Sequence, residues 1–143
     1  MSQPTVGTNL RQAVPFFRVR DIEASLRFYV DGLGFTMTKN WIWEGSVRWC
    51  WLERDGVGLM LQDLRTDAGH RPIEGKPGIG VSIMVICADA LAIYRETVER
   101  GLQPDRPFVG NGMWVVGFHD PDGYRIEFES DTDVPEGTVY EGH

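Results

Sequence analysis

The chain has 143 residues, 42% of them hydrophobic and 24% charged, a balance typical of a single soluble globular domain. Its 21 acidic and 14 basic residues give a net charge of −7, which argues against a nucleic-acid partner because phosphate binding requires clustered Lys and Arg. No apolar run is long enough to span a membrane, and the first residues lack the pattern of a secretory signal. We therefore expect a cytoplasmic protein.

The first half of the chain predicts a strand, a helix and three further strands. Residues 13–21, AVPFFRVRD, are rich in Val and Phe, and Asp21 can cap a helix whose apolar residues follow at helical spacing. Gly32 and Gly34 can end this helix. Three strand-like segments follow, and Arg-Asp-Gly between the last two is typical of a hairpin.

The second half predicts the same order of elements. A strand precedes Asp89, which can cap a second helix that ends at Gly101, and three strand-like segments follow, the last two joined by Asp-Pro-Asp-Gly. The offset is 68 residues from Asp21 to Asp89 and 67 residues from Gly56 to Gly123. The sequence therefore predicts an α+β protein with an internal βαβββ repeat. The predicted parts are module 1 at about 12–63, a linker at 64–79, module 2 at about 80–130 and a loose polar tail at 131–143.

Two segments, VRDIEASLRFYVDGLGF and FHDPDGYRIEFES, resemble the opening and closing signatures of the vicinal oxygen chelate superfamily. This superfamily includes glyoxalase I, extradiol dioxygenases, and fosfomycin and bleomycin resistance proteins. The resemblance covers residues 12–130 and implies two βαβββ modules whose cupped, partly open mixed sheet surrounds a cavity. In many members a homodimer completes this cavity. In the enzymes the cavity holds a divalent metal, bound by His and Glu side chains of the first and last strands of each module.

The four positions that match those metal ligands contain one good ligand. In YRIEFES, alternation places Ile126 and Phe128 toward the helix and Glu127 toward the cup, at the last-strand ligand position. The internal repeat aligns Glu127 with Met60. The corresponding first-strand positions are Val14 and Ser82. Because Val cannot coordinate a metal and Met suits soft ions, we expect no cofactor, with a divalent metal as the alternative.

Histidines and cysteines elsewhere do not change this expectation. Alternation places His119 on the face opposite Phe118, near a turn, while His70 falls in the linker and His143 is the last residue. Cys50 and Cys87 lie in separate apolar segments rather than in a CxxC motif, so we expect buried thiols rather than a zinc or redox site.

Aromatic side chains are expected to line the cup. If Asp-Pro-Asp-Gly is the turn, Val116 lies opposite Glu127, which places Trp114 and Phe118 on the same face. The same offset places Trp49 and Trp51 beside Met60, whereas the positions of Trp41 and Trp43 remain open. Glu129 is a further candidate for the rim. The predicted ligand-binding residues are Phe16, Arg18, Trp49, Trp51, Met60, Gln62, Met84, Trp114, Phe118, Arg125 and Glu127.

These residues favour a metal-free binding protein that resembles the bleomycin resistance proteins. It would act as a homodimer and sequester a cationic aromatic compound such as an antibiotic, by stacking on Trp and pairing with Glu127. The alternative function is a lyase, isomerase or dioxygenase of the same superfamily, dependent on a metal or on Glu127 as a general base. Two other interpretations remain open: the aromatic residues form a core or a dimer interface, and Glu127 pairs with Arg18 or Arg125.

Overall fold

The structure is a computed structural model that describes residues 9–64 and 75–142. Residues 65–74 of the predicted linker, with His70, and the terminal His143 lie outside the described residues. Module 1 contains β1 (Phe16–Val19), α1 (Ile22–Leu26), which continues as a π-helical segment (Arg27–Gly32), β2 (Thr36–Trp43), β3 (Ser46–Arg54) and β4 (Val57–Asp63). Module 2 contains β5 (Ser82–Ile86), α2 (Ala90–Glu99), β6 (Phe108–Gly110), β7 (Met113–His119) and β8 (Arg125–Asp131).

Each module folds its strands into a mixed four-stranded sheet. The strand orders are β1-β4-β3-β2 and β5-β8-β7-β6, and in each sheet the first strand runs parallel to the last while the other pairs are antiparallel. Phe16 pairs with Met60 in the first sheet, and Met84 pairs with Glu127 at the equivalent place in the second. The predicted α+β fold and its βαβββ repeat are therefore confirmed, including the equivalence of Met60 and Glu127.

The helices begin at the two predicted capping residues. The Asp21 carboxylate accepts hydrogen bonds from the backbone N–H groups of Glu23 and Ala24 at 3.1 and 3.2 Å, and Asp89 accepts one from Ala92 at 3.0 Å. These bonds satisfy N–H groups that have no partner within the helix. The hydrophobic face of each helix can then pack on its own sheet.

The hydrophobic core lies between the helix sides of the two sheets and joins the modules. The rings of Phe28, which follows α1, and Phe118 of β7 meet edge to face with their centroids 6.3 Å apart. Cys50 is fully buried in this core, and burial raises the pKa of its thiol to about 11. Cys87 is half-buried, and burial also raises the pKa of its thiol. The expectation of buried thiols is confirmed for Cys50 and in part for Cys87.

The loop between β7 and β8 holds the two modules together through a contact that we call the module seam, formed by Phe17, Tyr29, Asp120, Asp122 and Tyr124. The buried Asp120 accepts hydrogen bonds from the Tyr29 hydroxyl at 2.8 Å and from the backbone N–H groups of Asp122 and Tyr124 at 2.9 and 2.8 Å. The Tyr124 ring stacks on Phe17 with a centroid distance of 4.3 Å. Burial raises the pKa of Tyr29 and of Asp120, since it disfavours a negative charge on either group.

The residues after β8 pack closely against module 2. The Val109 N–H donates to the Thr138 carbonyl at 2.9 Å, and the Tyr140 N–H donates to the Pro107 carbonyl at 2.8 Å. The Tyr140 ring meets Trp114 edge to face with a centroid distance of 5.8 Å. The prediction of a loose tail is therefore wrong for residues 132–142, because the tail satisfies backbone groups at the edge of β6.

Candidate functional site

Module 1 gathers its predicted binding residues on the side of its sheet that faces away from the core. Met60 lies between Phe16 on one neighbouring strand and Trp51 on the other, and Gln62 lies likewise between Arg18 and Trp49. The prediction that these six side chains share one face is confirmed. We call this surface the aromatic face; it consists of Phe16, Arg18, Lys39, Trp41, Trp49, Trp51, Met60 and Gln62.

Strand β2 adds Lys39 and Trp41, whose positions did not follow from the sequence. Lys39 pairs with Trp51 and Trp41 pairs with Trp49. The Lys39 ammonium lies 5.2 Å from the centroid of the Trp51 ring, and the Trp51 indole N–H donates to Glu53 Oε1 at 2.8 Å. Trp51 is therefore held by its neighbours, whereas 49% of Trp41 is exposed to solvent.

The equivalent surface of module 2 carries charges. We call it the charged face; it consists of Ser82, Met84, Ile86, Asp105, Arg125, Glu127 and Glu129. Arg125 Nε donates to Glu127 Oε1 at 2.6 Å, and Arg125 Nη1 donates to Asp105 Oδ2 at 3.1 Å. Only 8% of Glu127 is exposed. The interpretation in which Glu127 pairs with Arg125 therefore describes this structure.

Glu129 and His119 lie at other points of this sheet. Burial, followed by the negative charge of Glu127, raises the pKa of Glu129 above its ordinary range. His119 pairs in register with Arg125 and is exposed at the end of β7, so it lies on the same side of the sheet as the charged face. The prediction that His119 points away from the cup is therefore wrong, because the register differs by one residue from the predicted one.

A glycine on a neighbouring strand makes room for a large side chain on each face. A Cβ atom added at Gly58 would lie 2.9 Å from Cζ2 of Trp51, and one added at Gly117 would lie 2.6 Å from Nη2 of Arg125. Both distances are shorter than carbon or nitrogen atoms can approach without a shift. The indole of Trp51 and the guanidinium of Arg125 thus occupy the space that Gly58 and Gly117 leave without a side chain.

The prediction that Trp114 and Phe118 line the cup is wrong. Gly117, rather than Val116, lies opposite Glu127, so Phe118 pairs with Ile126 and Trp114 pairs with Ser130 on the helix side. Five residues, 120–124, separate His119 from Arg125, and this loop length shifts the register by one residue relative to a four-residue turn. Phe118 is accordingly buried in the core against Phe128.

Among the described residues, side chains of both the aromatic face and the charged face are open to solvent. Phe16 on the first is 44% exposed and Met84 on the second is 57% exposed, so both faces are open to solvent. Two adjoining apolar cavities of about 300 and 290 Å³ lie beside the edge of β5, and Val57, Val85 and Ile86 line both of them. The described residues that line these cavities include no tryptophan.

The residues at the family's ligand positions do not fit a divalent metal. Met60 and Glu127 occupy the last-strand positions, Ser82 lies two residues before Met84 on the same face of β5, and Val14 lies two residues before Phe16, ahead of β1. A thioether, a valine and a single hydroxyl are poor partners for the oxygen- and nitrogen-seeking ions of the enzymes. Within the described residues, no group of three His, Cys, Asp or Glu side chains could hold a metal ion.

Comparison with solved structures finds the same fold in bleomycin resistance, bleomycin-binding and antibiotic-binding proteins. A bleomycin resistance determinant encoded on the transposon Tn5 is 22% identical and has a TM-score of 0.63 over 85% of this chain and 98% of that one. A bleomycin-binding protein from Streptomyces verticillus, solved with copper(II)-bleomycin, is 17% identical with a TM-score of 0.64 over 87% and 98%. An antibiotic-binding protein from Streptomyces sp. CB03234 is 24% identical with a TM-score of 0.63 over 85% and 98%.

Two sequence comparisons and a search for membrane-spanning helices complete these findings. No curated protein sequence matches the chain. Among the described residues, no helix is long and apolar enough to cross a membrane. The family model for the glyoxalase/bleomycin resistance protein/dioxygenase superfamily matches residues 11–128. The chain therefore belongs to this superfamily.

Proposed function

We propose that this protein binds an aromatic small molecule on the aromatic face without a metal cofactor. The observation that carries the proposal is the composition of that face: Phe16 and Trp51 flank Met60, at the place where the family's enzymes have a metal ligand, and Trp49 and Trp41 continue the aromatic surface beside Gln62. Indole rings offer large, rigid apolar surfaces for stacking, and a few polar groups beside them can orient a ligand.

We further propose that the ligand carries a positive charge, as an antibiotic of the bleomycin type does. The chain has a net charge of −7, and the charged face holds three carboxylates, of Asp105, Glu127 and Glu129, for one arginine, Arg125. This balance attracts cations. The solved complex of a bleomycin-binding protein of the same fold supports this class of ligand.

A second copy of the chain would complete the site. On the charged face, 57% of Met84 and 65% of Ile86 are exposed, and the apolar cavities lie along the same edge strand, β5. A homodimer that covers this edge would bury these side chains and bring the aromatic face of one protomer toward the charged face of its partner. We expect Ile86→Glu to give monomers in sedimentation velocity, while the control Val98→Glu, on the outside of α2, leaves the dimer intact. A monomeric wild-type protein would contradict the dimer.

An enzyme that uses Glu127 as its base has less support. Arg125 already occupies Oε1 of Glu127, and a general base needs a carboxylate that is free to accept the substrate's proton. Elemental analysis of metal-supplemented protein tests the metal-dependent form of this alternative. One tightly held divalent ion per chain, lost in Glu127→Ala, would favour the enzyme over the binding protein.

Fluorescence titration tests the binding function. We expect metal-free bleomycin or the aromatic cations ethidium and acriflavine to quench tryptophan fluorescence saturably, with micromolar or tighter affinity. Trp49→Ala should weaken this binding about tenfold because stacking energy is lost, whereas Trp114→Phe, on the helix side, should leave the affinity unchanged. If none of the three compounds quenches the fluorescence or shifts the thermal transition, the proposed function is wrong.

A further inference from the structure

The two modules differ in what covers the outer edge of each sheet. In module 2 the edge strand is β6, and the tail pairs with it: the Val109 N–H donates to the Thr138 carbonyl and the Gly137 N–H donates to the Val109 carbonyl, both at 2.9 Å. In module 1 the edge strand is β2, and among the described residues β3 is the only strand that pairs with it. The edge of β2 therefore presents backbone groups whose counterparts in module 2 are already bonded.

The β2–β3 and β6–β7 hairpins have the same two-residue turn. Glu44 and Gly45 have φ angles of 51° and 76°, and Asn111 and Gly112 have φ angles of 54° and 73°. Two consecutive left-handed residues are typical of a type I′ turn, which connects antiparallel strands without a further loop residue. The offset from Glu44 to Asn111 is 67 residues, the same as the offset from Gly56 to Gly123. The tips of the two hairpins are therefore equivalent, residue for residue.

This equivalence makes Ile42 the counterpart of Val109. Each residue lies two positions before its turn, and in a two-residue hairpin the N–H and C=O groups at that position point away from the partner strand. Val109, which pairs with the tail, is 1% exposed, whereas 56% of Ile42 is exposed. Ile42 is thus an exposed apolar residue whose backbone is oriented toward a strand that the described part of the chain does not supply.

The turn of module 2 also binds a carboxylate. The backbone N–H groups of Asn111 and Gly112 donate to the two oxygens of the Glu136 side chain, which precedes the residues that pair with β6. Adjacent N–H groups in a turn form a concave site for an anion. The N–H groups of Glu44 and Gly45 belong to a turn of the same conformation, so they can receive a carboxylate in the same way.

Two features of β2 confine strand pairing to the end of the strand nearest the turn. Thr38 is an extra residue on β2, between the pairs that Met37 and Lys39 make with β3. A bulge and a lysine both discourage pairing along an exposed edge. Residues 40–45 follow both features, and we call this segment the β2 tip. It is a short docking surface, comparable to the part of β6 that the tail covers.

We propose that the β2 tip binds an extended segment of a partner protein, in which an acidic residue occupies the turn and the following residues pair with Ile42. The tail shows the pattern, since Glu136 occupies the equivalent turn and the next residues pair with Val109. Because the tail of each copy pairs with its own β6, the segment comes from another protein. Backbone hydrogen bonds would add it to the sheet as a strand. Arg48 Nη2 lies 3.9 Å from Glu44 Oε2 and offsets the negative charge nearest to the incoming carboxylate.

A synthetic peptide with the sequence of residues 133–142 tests this proposal on the full-length protein. We expect the peptide to shift the backbone amide signals of Ile42, Glu44 and Gly45 in two-dimensional NMR spectra, saturably and with submillimolar affinity. A peptide that carries Glu136→Gln should bind about fivefold more weakly, because a neutral amide oxygen is a poorer acceptor than a carboxylate.

Variants of the β2 tip provide the matched controls. Ile42→Pro removes the outward N–H where an edge strand tolerates proline, so the protein should stay folded while the shifts of Glu44 and Gly45 disappear. Ile42→Val keeps this N–H and should bind within about twofold of wild type. Glu44→Gln should bind the peptide about twofold more tightly, because a like charge is removed from beside the carboxylate. Urea denaturation of the three variants separates lost binding from lost folding.

Three results would overturn the proposal. If the wild-type protein shows no shifts with the peptide, or binds both peptides equally, the turn at Glu44 and Gly45 does not receive a carboxylate. If a folded Ile42→Pro binds as wild type does, the peptide does not add a strand to β2. If the same amide signals move with protein concentration rather than with peptide, the edge pairs with a second copy of the chain. The comparison of the two peptides uses the unmodified protein, so it decides even where Ile42→Pro does not fold.

Discussion

The two modules share one backbone plan but differ in the chemistry of their open faces. Met60 and Glu127 occupy equivalent positions, next to Phe16 in module 1 and Met84 in module 2. Around Met60 the side chains are mostly aromatic, whereas around Glu127 they form an ion-pair cluster. The repeat thus preserves strand order and register, while the residues that point away from the core have diverged.

The same difference explains why the four ligand positions of the family's enzymes fit a divalent metal poorly in this chain. A symmetric pair of modules with a good ligand on each first and last strand would supply four ligands, but here the only carboxylate among the four positions, Glu127, is held by Arg125. Divergence has instead produced an aromatic half and a charged half. Such a combination suits a ligand with a flat ring system and a positive charge.

The largest predicted loss of stability comes from a substitution in the module seam. Asp120→Ala removes the acceptor of three hydrogen bonds in a buried position, so we expect the free energy of unfolding to fall by about 3 kcal/mol. Urea denaturation measures this loss. Tyr29→Phe, a milder change at the same contact, should cost about 1 kcal/mol.

Because one hydrophobic core spans both modules, wild type and Tyr29→Phe should each unfold in a single transition. The exposed Asp31→Ala is the control and should change stability little. Two separate transitions in the wild-type protein, or a loss below about 0.5 kcal/mol for Asp120→Ala, would contradict this view of the seam.

The next effect concerns the glycine beneath Trp51. Gly58→Ala places a methyl group against a rigid indole, so the ring has to move as a whole, and we expect a loss of about 1–2 kcal/mol together with weaker dye binding. Urea denaturation measures the loss of stability, and the fluorescence anisotropy of ethidium measures the change in binding. Unchanged stability and affinity would show that Trp51 does not rest on Gly58.

Gly117→Ala makes the same change on the charged face and should cost less. The added methyl group meets the end of the flexible Arg125 side chain, which can swing away, so the loss of stability should stay below about 1 kcal/mol. Displacing Arg125 frees Glu127, and the affinity for ethidium should then rise about threefold. A loss of affinity in Gly117→Ala would mean that Arg125 itself contributes to ligand binding.

The smallest predicted effect is the pH dependence that Glu129 contributes. Burial and the charge of Glu127 raise the pKa of Glu129 in the folded state above its ordinary value of 4.5. A carboxyl with a raised folded pKa stabilises the fold below its unfolded pKa and loses that contribution as the pH rises through the folded pKa. Glu129→Gln should therefore be slightly more stable than wild type at neutral pH, and this advantage should disappear below about pH 4.5.

Urea denaturation between pH 4 and pH 8 checks this prediction, with Glu99→Gln on α2 as the control. A stability difference between Glu129→Gln and wild type that stays constant over this range would contradict the raised pKa of Glu129.

Local rules predicted much of the backbone from the sequence. Asp21 and Asp89 cap their helices because carboxylates at these positions satisfy free N–H groups, which is a local effect. Alternation gave the correct faces for β1, β3, β4, β5 and β8, since each of these strands has a buried apolar side. Glu127, Met60 and the pair Trp49 and Trp51 were therefore assigned correctly to the outer faces.

Tertiary contacts decided the features that the sequence did not predict. The β7–β8 loop contains five residues because Asp120 accepts hydrogen bonds from Tyr29 and Tyr124, and this shift moved Trp114 and Phe118 to the core side. Trp41 follows a bulge in β2, where the pairing passes from Met37 with Leu52 to Lys39 with Trp51 and Thr38 is the extra residue, and nothing in the sequence signals that extra residue. The tail packs against β6 through backbone pairing and the Tyr140 ring, neither of which a polar sequence signals.

The central claim is that an aromatic ligand binds to the aromatic face without a metal. Isothermal titration calorimetry of chelator-treated protein with metal-free bleomycin and with ethidium tests it most directly, on wild type and Trp49→Ala side by side. We predict saturable binding of one of these compounds to the chelator-treated wild type, at one ligand per chain, and about tenfold weaker binding to Trp49→Ala. Binding that appears only after a divalent metal is restored, or that is equally tight in Trp49→Ala, would contradict the claim.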